Sequence, residues 1–311
     1  MRVAVTGAGG RLGRAVVAAL EDAAFAGPFG PLAWGRSAFD LDAPDAVGGL
    51  IDRDRPEVVV HCAAWTDVDG CARDPDLANA RNGKATGLLA AECARRGLDL
   101  VLISTNEVFD GQRTDGRPYR PDDMTNPPNP YGASKLAGEH AALDAFNADN
   151  VDGALGIVRT SWLFGPPGSD FPAKILAAAE RAAAAAEPLR VVADEYGSPT
   201  FTADLAEAIV ELIGERSVDG VHHIVNAGVA SRADWAREVL VRAKRLAPGR
   251  GIDVATEDVP AATWQRASSP PRWGVLEPTP LPSGEGLRSW QLALAEYLPA
   301  LLRRRSPAAA W

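Results

Sequence analysis

A glycine-rich turn at the head of the chain constrains its fold more than any other feature. Gly7-Ala8-Gly9-Gly10-Arg11-Leu12-Gly13 follows an apolar run at residues 2–6 and precedes a helical pattern at 11–24. Each glycine of this GxxGxxG spacing has a physical reading. Gly7 permits a tight turn, Gly10 lets backbone amides approach a ligand, and Gly13 lets helix and strand pack in contact. Free amides and the dipole at the helix start favour an anion, so strand, turn and helix in this order cradle a dinucleotide pyrophosphate. Such an opening predicts a parallel sheet with helices on both faces.

The rest of the first half continues the theme. Apolar runs at 31–35, 57–62, 99–104 and 154–160 alternate with helical spacing at 43–53, 74–96 and 130–146. This predicts an α/β fold with a Rossmann-type, doubly wound parallel sheet. Val58-Val59-Val60 and Leu100-Val101-Leu102-Ile103 are apolar without alternation, as strands buried on both faces are. The second half predicts strands at 189–193 and 221–226 and helices at 203–213 and 233–244. An irregular Pro-, Gly- and Ser-rich stretch at 263–286 and an amphipathic helix at 286–302 close the chain. Residues 1–165 and 189–226 are therefore expected to form a dinucleotide-binding domain, with 166–188 and 227–311 as a smaller C-terminal substrate lobe over the sheet's C-terminal edge.

Composition enters where it narrows the partners. A formal net charge of −9 speaks against a phosphate-tracking nucleic-acid binder. No apolar run approaches the roughly 20 residues of a membrane span, and Met1 leads straight into the first strand. Cys62, Cys71 and Cys93 share no CxxC spacing and read as reduced thiols of a cytoplasmic protein. His222 and His223, adjacent on a strand, point to opposite faces, so no metal site is expected.

The second strand ends in Leu32-Ala33-Trp34-Gly35-Arg36-Ser37, without the acid that holds a ribose 2′-hydroxyl in NAD sites. A guanidinium suits a 2′-phosphate, so Arg36 favours NADPH, with NADH as the alternative. Tyr131-Gly132-Ala133-Ser134-Lys135 opens a helix and sets phenol and ammonium one turn apart on one face. A nearby ammonium is expected to lower the phenol's pKa and let it exchange a proton with a substrate oxygen. Ser104-Thr105 ends the fourth strand, where a hydroxyl can orient a reacting carbonyl.

Longer stretches around these residues carry a resemblance. Ser104-Thr105-Asn106-Glu107-Val108-Phe109-Asp110-Gly111, Tyr131 through Glu139, and Arg159-Thr160-Ser161-Trp162-Leu163-Phe164-Gly165 resemble the dTDP-4-dehydrorhamnose reductase family, extended short-chain reductases of sugar nucleotides. Gly197-Ser198-Pro199-Thr200, Ala203-Asp204-Leu205 and Ser289-Trp290-Gln291 extend the similarity almost end to end. The resemblance implies NAD(P)H-dependent reduction of the keto group of a nucleotide-activated 4-keto-6-deoxysugar. It implies catalysis by Thr105, Tyr131 and Lys135, and a Trp162 that lies against substrate. It also implies cofactor contacts at Gly10, Arg11, Leu12, Asp40, Leu41, Ala64, Trp65 and Thr66. A nucleotide sugar is the implied partner, with a homodimer as the candidate assembly.

Three departures stand out. The family's Asp and Tyr after the Thr are replaced by Asn106 and Glu107; Asn106 is expected to hydrogen-bond a sugar oxygen. The family's Arg-Pro-x-x-Ser element is replaced by Pro270-Pro271-Arg272-Trp273-Gly274, leaving Arg266 or Arg272 to compensate. A related branch has lost catalysis and serves as a cofactor-binding regulatory subunit. That role and a sugar-nucleotide 4,6-dehydratase or epimerase are the competing readings. The dehydratase needs an acid where Asn106 stands.

Overall fold

A computed structural model describes residues 1–27, 30–149, 151–167 and 169–304, the side chain of Arg304 excepted. The first half alternates as expected: β1 (Val3–Thr6), α1 (Arg11–Glu21), β2 (Leu32–Trp34), α2 (Val47–Asp54) and β3 (Val58–His61). Then come α3 (Val68–Arg73), α4 (Pro75–Ala78), α5 (Ala85–Arg95), β4 (Asp99–Thr105), α6 (Pro130–Phe146) and β5 (Leu155–Thr160). The second half holds β6 (Leu163–Phe164), α7 (Phe171–Ala185), β7 (Leu189–Val192), β8 (Tyr196–Gly197), β9 (Thr200–Phe201) and α8 (Thr202–Gly214). It ends with β10 (Gly220–His223), β11 (Ala230–Ser231), α9 (Arg232–Leu246), β12 (Thr256–Val259) and α10 (Trp290–Arg304).

Six strands form one parallel sheet in the order β10-β5-β4-β3-β1-β2. The unalternating apolar strands explain its two covered faces, because successive side chains point to opposite sides. Val3, Val5, Val58, Val60, Val101 and Ile103 pack with α1 and α8 on one face. Ala4, Val59, Leu100 and Leu102 pack with α2, α5 and α6 on the other. The chain switches direction between β1 and β3, and the crevice above a switch point is where such sheets bind ligands.

A third core belongs to the lobe. Leu176, Trp235, Val239, Leu240, Leu294 and Leu298 pack there around Phe164 and Phe201. β7 corrects the expected domain division: it pairs with β12, not with the main sheet, and Leu189 and Val191 join the lobe's core. An apolar run says that a strand is buried but not which partner it finds.

Two other expectations change. The helix expected over 74–96 is broken by a wide π-type turn at Asn79–Lys84. The stretch expected to be irregular, 263–286, carries no long element, yet it is fixed by backbone bonds to distant strands. Tyr119 donates to Val275 O at 2.8 Å, Glu277 to Tyr119 O at 2.8 Å and Thr279 to His223 O at 2.9 Å. On its other side, Tyr196 donates to Arg272 O at 2.8 Å and Gly274 to Tyr196 O at 2.9 Å. The segment is a strap laid across the junction of sheet and lobe.

Candidate active site

The glycine turn is built as its spacing requires. Gly7 has a φ of +61°, and a Cβ there would stand 2.8 Å from the amide nitrogen of Ala63. A Cβ on Gly13 would stand 2.2 Å from Gly7 O, so helix and turn touch only because Gly13 lacks a side chain. Gly10 donates to Gly7 O at 2.8 Å and begins α1 without a side-chain cap. The uncapped helix start and the glycine cradle fit a dinucleotide pyrophosphate. Gly10, Arg11 and Leu12 line a cavity of about 430 Å³ at the sheet's C-terminal edge, while Gly7 and Gly13 shape the turn behind it. Arg11 is tied across to the lobe: it bonds Gly165 O, Ser169 O at 3.0 Å and the buried carboxylate of Asp170 at 3.5 Å.

A smaller recess of about 180 Å³ is lined by Arg36, Phe39, Asp40, Leu41, Asp42, Ala64, Trp65 and Arg81, and shares Ala64 with the larger cavity. The residues expected near the cofactor therefore divide between two adjoining cavities, Gly10, Arg11, Leu12 and Thr66 lining the larger, Arg36, Asp40, Leu41 and Trp65 the smaller, and Ala64 both. Arg36 is exposed and pairs with Asp42 at 3.1 Å and Asp40 at 3.6 Å. Arg81, which the sequence did not single out, grips Asp42 through two bonds of 2.6 and 2.8 Å and lies over the Trp65 ring. These two guanidinium groups hold the Asp42 carboxyl below its usual range, Arg81's hydrogen bond contributing most. The π-type turn turns Asn82 inward, where it accepts from Trp65 N at 2.8 Å and donates to Trp65 O and Ser134 Oγ at 3.0 Å each. That fixes the Ala64–Trp65 backbone.

Thr105, Tyr131 and Lys135 all line the larger cavity. Asn129 caps α6, its Oδ1 accepting from Gly132 N at 2.9 Å, which sets the helix start and so the direction of Tyr131. Deeper on α6, Glu139 takes a two-pronged bond from the buried Arg159 and the hydroxyl of Ser104, anchoring the helix to β4 and β5. Ser104 is thus committed, leaving Thr105, whose hydroxyl accepts from Glu107 N at 3.2 Å and lines the cavity with Tyr131.

The protonation pattern differs from the expectation. Burial, reinforced by the charge of Glu107, pushes the Tyr131 phenol above its ordinary value, and the neighbouring Thr105 hydroxyl opposes this. Lys135 is buried on the same cavity. Burial brings the lysine down to about 8, with Glu139 and Cys62 pulling the other way. Its charge acts on the β3 end: His61 falls to about 3 through burial and then Lys135. Helical spacing correctly places both groups on one cavity wall but does not measure how their charges are screened.

Asn106 has a contact that the sequence did not suggest. It lines the cavity, but its Nδ2 donates at 2.9 Å to Gly274 O of the strap, and its Oδ1 receives a long 3.4 Å bond from Thr105. Its amide pins the strap through one of its two N–H donors. A Cβ on Gly274 would stand 2.3 Å from that nitrogen. Glu107 also lines the cavity; Asn129 donates to it at 2.7 Å, and burial raises its carboxyl's pKa.

Trp162 borders the cavity from a left-handed backbone with a φ of +47°. Its indole lies where a Cβ on Gly197 would be, 2.6 Å from the ring, and stacks on Trp235 with centroids 5.8 Å apart. Arg232 lies over its other contact surface, 3.6 Å from the ring centroid. Arg266 bonds Glu195, and the exposed Arg272 bonds Asp194 at 2.6 Å, so neither lines the cavity and both have acidic partners. Arg232 and Arg81 escaped notice because an isolated Arg on a helix carries no spacing signal.

With this geometry in place, comparison with known proteins is informative. Residues 1–303 match the model of the RmlD substrate binding domain. A dTDP-4-dehydrorhamnose reductase of Streptomyces griseus is 36% identical over 96% of this chain and 94% of its own. The crystal structure of a dTDP-4-dehydrorhamnose reductase from Clostridium acetobutylicum superposes with a TM-score of 0.84 at 31% identity, covering 97% of this chain and 100% of that one. That of the Bacillus anthracis dTDP-4-dehydrorhamnose reductase, in complex with NADP, gives 0.80 at 30% identity over 95% and 98%. The chain belongs to the RmlD substrate binding domain family.

Proposed function

We propose that the chain reduces the 4-keto group of a dTDP-linked 4-keto-6-deoxyhexose with NADPH. The observation that carries this reading is the convergence of Thr105, Tyr131 and Lys135 on one cavity with the start of the glycine-turn helix. The names of the relatives, and the NADP held by one of them, support it. When bound, the cofactor would supply hydride to the carbonyl carbon; Gly10–Leu12 would hold its diphosphate, and Arg36 and Arg81 would flank its adenosine end.

The chain's own residues handle the proton. Thr105 donates a hydrogen bond to the carbonyl oxygen and orients it. Tyr131, kept protonated by burial and by Glu107, gives that oxygen its proton as hydride arrives, so a ketone becomes an alcohol and a tyrosinate remains. Lys135, whose hold on its proton burial has weakened to about 8, returns a proton to Tyr131 in the downhill direction. Dehydration would need an acid beside Thr105, and the Asn106 amide there is bound to Gly274 O. A cytoplasmic location goes with this reading, supported by three free thiols. Among the described residues no helix is long and apolar enough to cross a membrane.

Incubation with a dTDP-linked 4-keto-6-deoxyhexose and NADPH is expected to consume NADPH and yield a 6-deoxyhexose. Incubation with a dTDP-linked hexose and NAD is expected to form no 4-keto product. The reverse pattern would replace the reductase by a dehydratase.

A further inference from the structure

We propose that Arg232 receives the diphosphate of the substrate, a role that rests on the nucleotide-sugar reading above. Arg232 begins α9 from the lobe side and lines the same cavity as Tyr131 and Thr105. Its position is fixed at the backbone: its amide donates to Glu195 O at 3.1 Å, and Ser231 and Asp234 form a reciprocal cap around it. The guanidinium lies 3.6 Å from the Trp162 centroid and 5.4 Å from that of Phe171. Stacking engages the flat faces of the group and leaves its in-plane N–H fork available.

Its acidic neighbours do not satisfy that fork. The nearest carboxylate, Glu195, stands 3.7 Å away, too far for a hydrogen bond, and its other oxygen is held by Arg266. Glu107 acts on Arg232 only through its charge, its carboxyl being bonded to Asn129. A largely buried cation with donors to give calls for an oxyanion that presents two oxygens, which a diphosphate does. The cofactor's own diphosphate does not compete, since its cradle lies at the start of α1.

The test measures binding of dTDP and of thymidine, calorimetrically, to NADPH-saturated wild type, Arg232→Gln and Arg232→Lys. The Gln variant is expected to lose about 10- to 100-fold in dTDP affinity, as for a hydrogen bond to a charged group, with thymidine and NADPH affinities within about twofold of wild type. The Lys variant, with the charge but not the fork, is expected to fall between. Equal dTDP binding by wild type and Arg232→Gln overturns the role of Arg232 and leaves the substrate class standing. An equal loss for thymidine overturns it too, because the cavity as a whole would then be damaged. A wild type that binds no dTDP overturns both the substrate class and the role of Arg232.

Discussion

Asn106→Asp separates a strap anchor from a substrate contact. The substitution keeps size and shape but replaces the Nδ2 donor by a carboxylate oxygen facing Gly274 O, where the bond is now 2.9 Å. Both residues are buried, so the carbonyl loses its partner in a place water does not readily reach. The lost bond and the stranded carbonyl cost about 1–3 kcal/mol. An ionised carboxylate beside a carbonyl oxygen and close to Glu107 adds to this, giving about 2–4 kcal/mol in all. At about 2 °C per kcal/mol for a chain of this size, the melting temperature should fall by about 4–8 °C at pH 8.

The sign of the pH dependence follows from the same geometry. A protonated carboxyl can donate to Gly274 O, so the introduced group's pKa is higher in the folded than in the unfolded chain. Its stabilising contribution is therefore fully present below the unfolded value and is lost as pH rises through the folded one. The gap between variant and wild type should narrow on going from pH 8 to pH 5, as read by thermal unfolding across that range. An unchanged melting temperature at pH 8, with kcat/KM reduced, would refute the anchor and return Asn106 to the substrate. An unchanged gap between pH 8 and pH 5 would refute the electrostatic part.

Tyr131→Phe removes the proton but not the ring; turnover should fall by about 10²-fold or more while NADPH binding, followed by fluorescence, survives. Asp42→Asn frees Arg36 and Arg81 from the carboxylate that both now hold, so the ratio of NADPH to NADH affinity should rise about tenfold, less so at high salt. Turnover should decline on the alkaline side with a midpoint near 8, because burial lowers Lys135 to about 8 and its ammonium is lost above that pH. A kcat profile flat to pH 10 would remove Lys135 from the proton path.

The sheet and the glycine turn were legible because their causes are local. GxxGxxG, continuous apolar strands and the Tyr131–Lys135 helical spacing each act within a few residues, and Gly10 and Gly13 both meet Gly7 within the same turn. The partner of β7 was not legible, since β12 lies more than 60 positions away and Leu189–Val192 reads equally well for either sheet. The strap contact of Asn106 was not legible for the same reason: its partner Gly274 is separated from it by 168 positions. The expected lowering of the Tyr131 phenol failed because spacing reports neighbours, whereas burial and Glu107 decide the charge. Arg81 and Arg232 gain their meaning only from Asp42 and Trp162, which folding brings to them.

The strap has a consequence for how the molecule comes apart. Within eight residues its backbone bonds alternate between bodies: Arg272 and Gly274 to Tyr196 of the lobe, Val275 and Glu277 to Tyr119, and Thr279 to the sheet strand at His223. Any motion that pulls the lobe from the sheet must strip one side of this row, exposing backbone groups buried under Pro271, Val275 and Leu276. The lobe's apolar core and the sheet's two covered faces therefore lack a weak seam along which one could melt while the other persists. Heat should take them down together, in one calorimetric transition whose measured enthalpy equals its van't Hoff enthalpy.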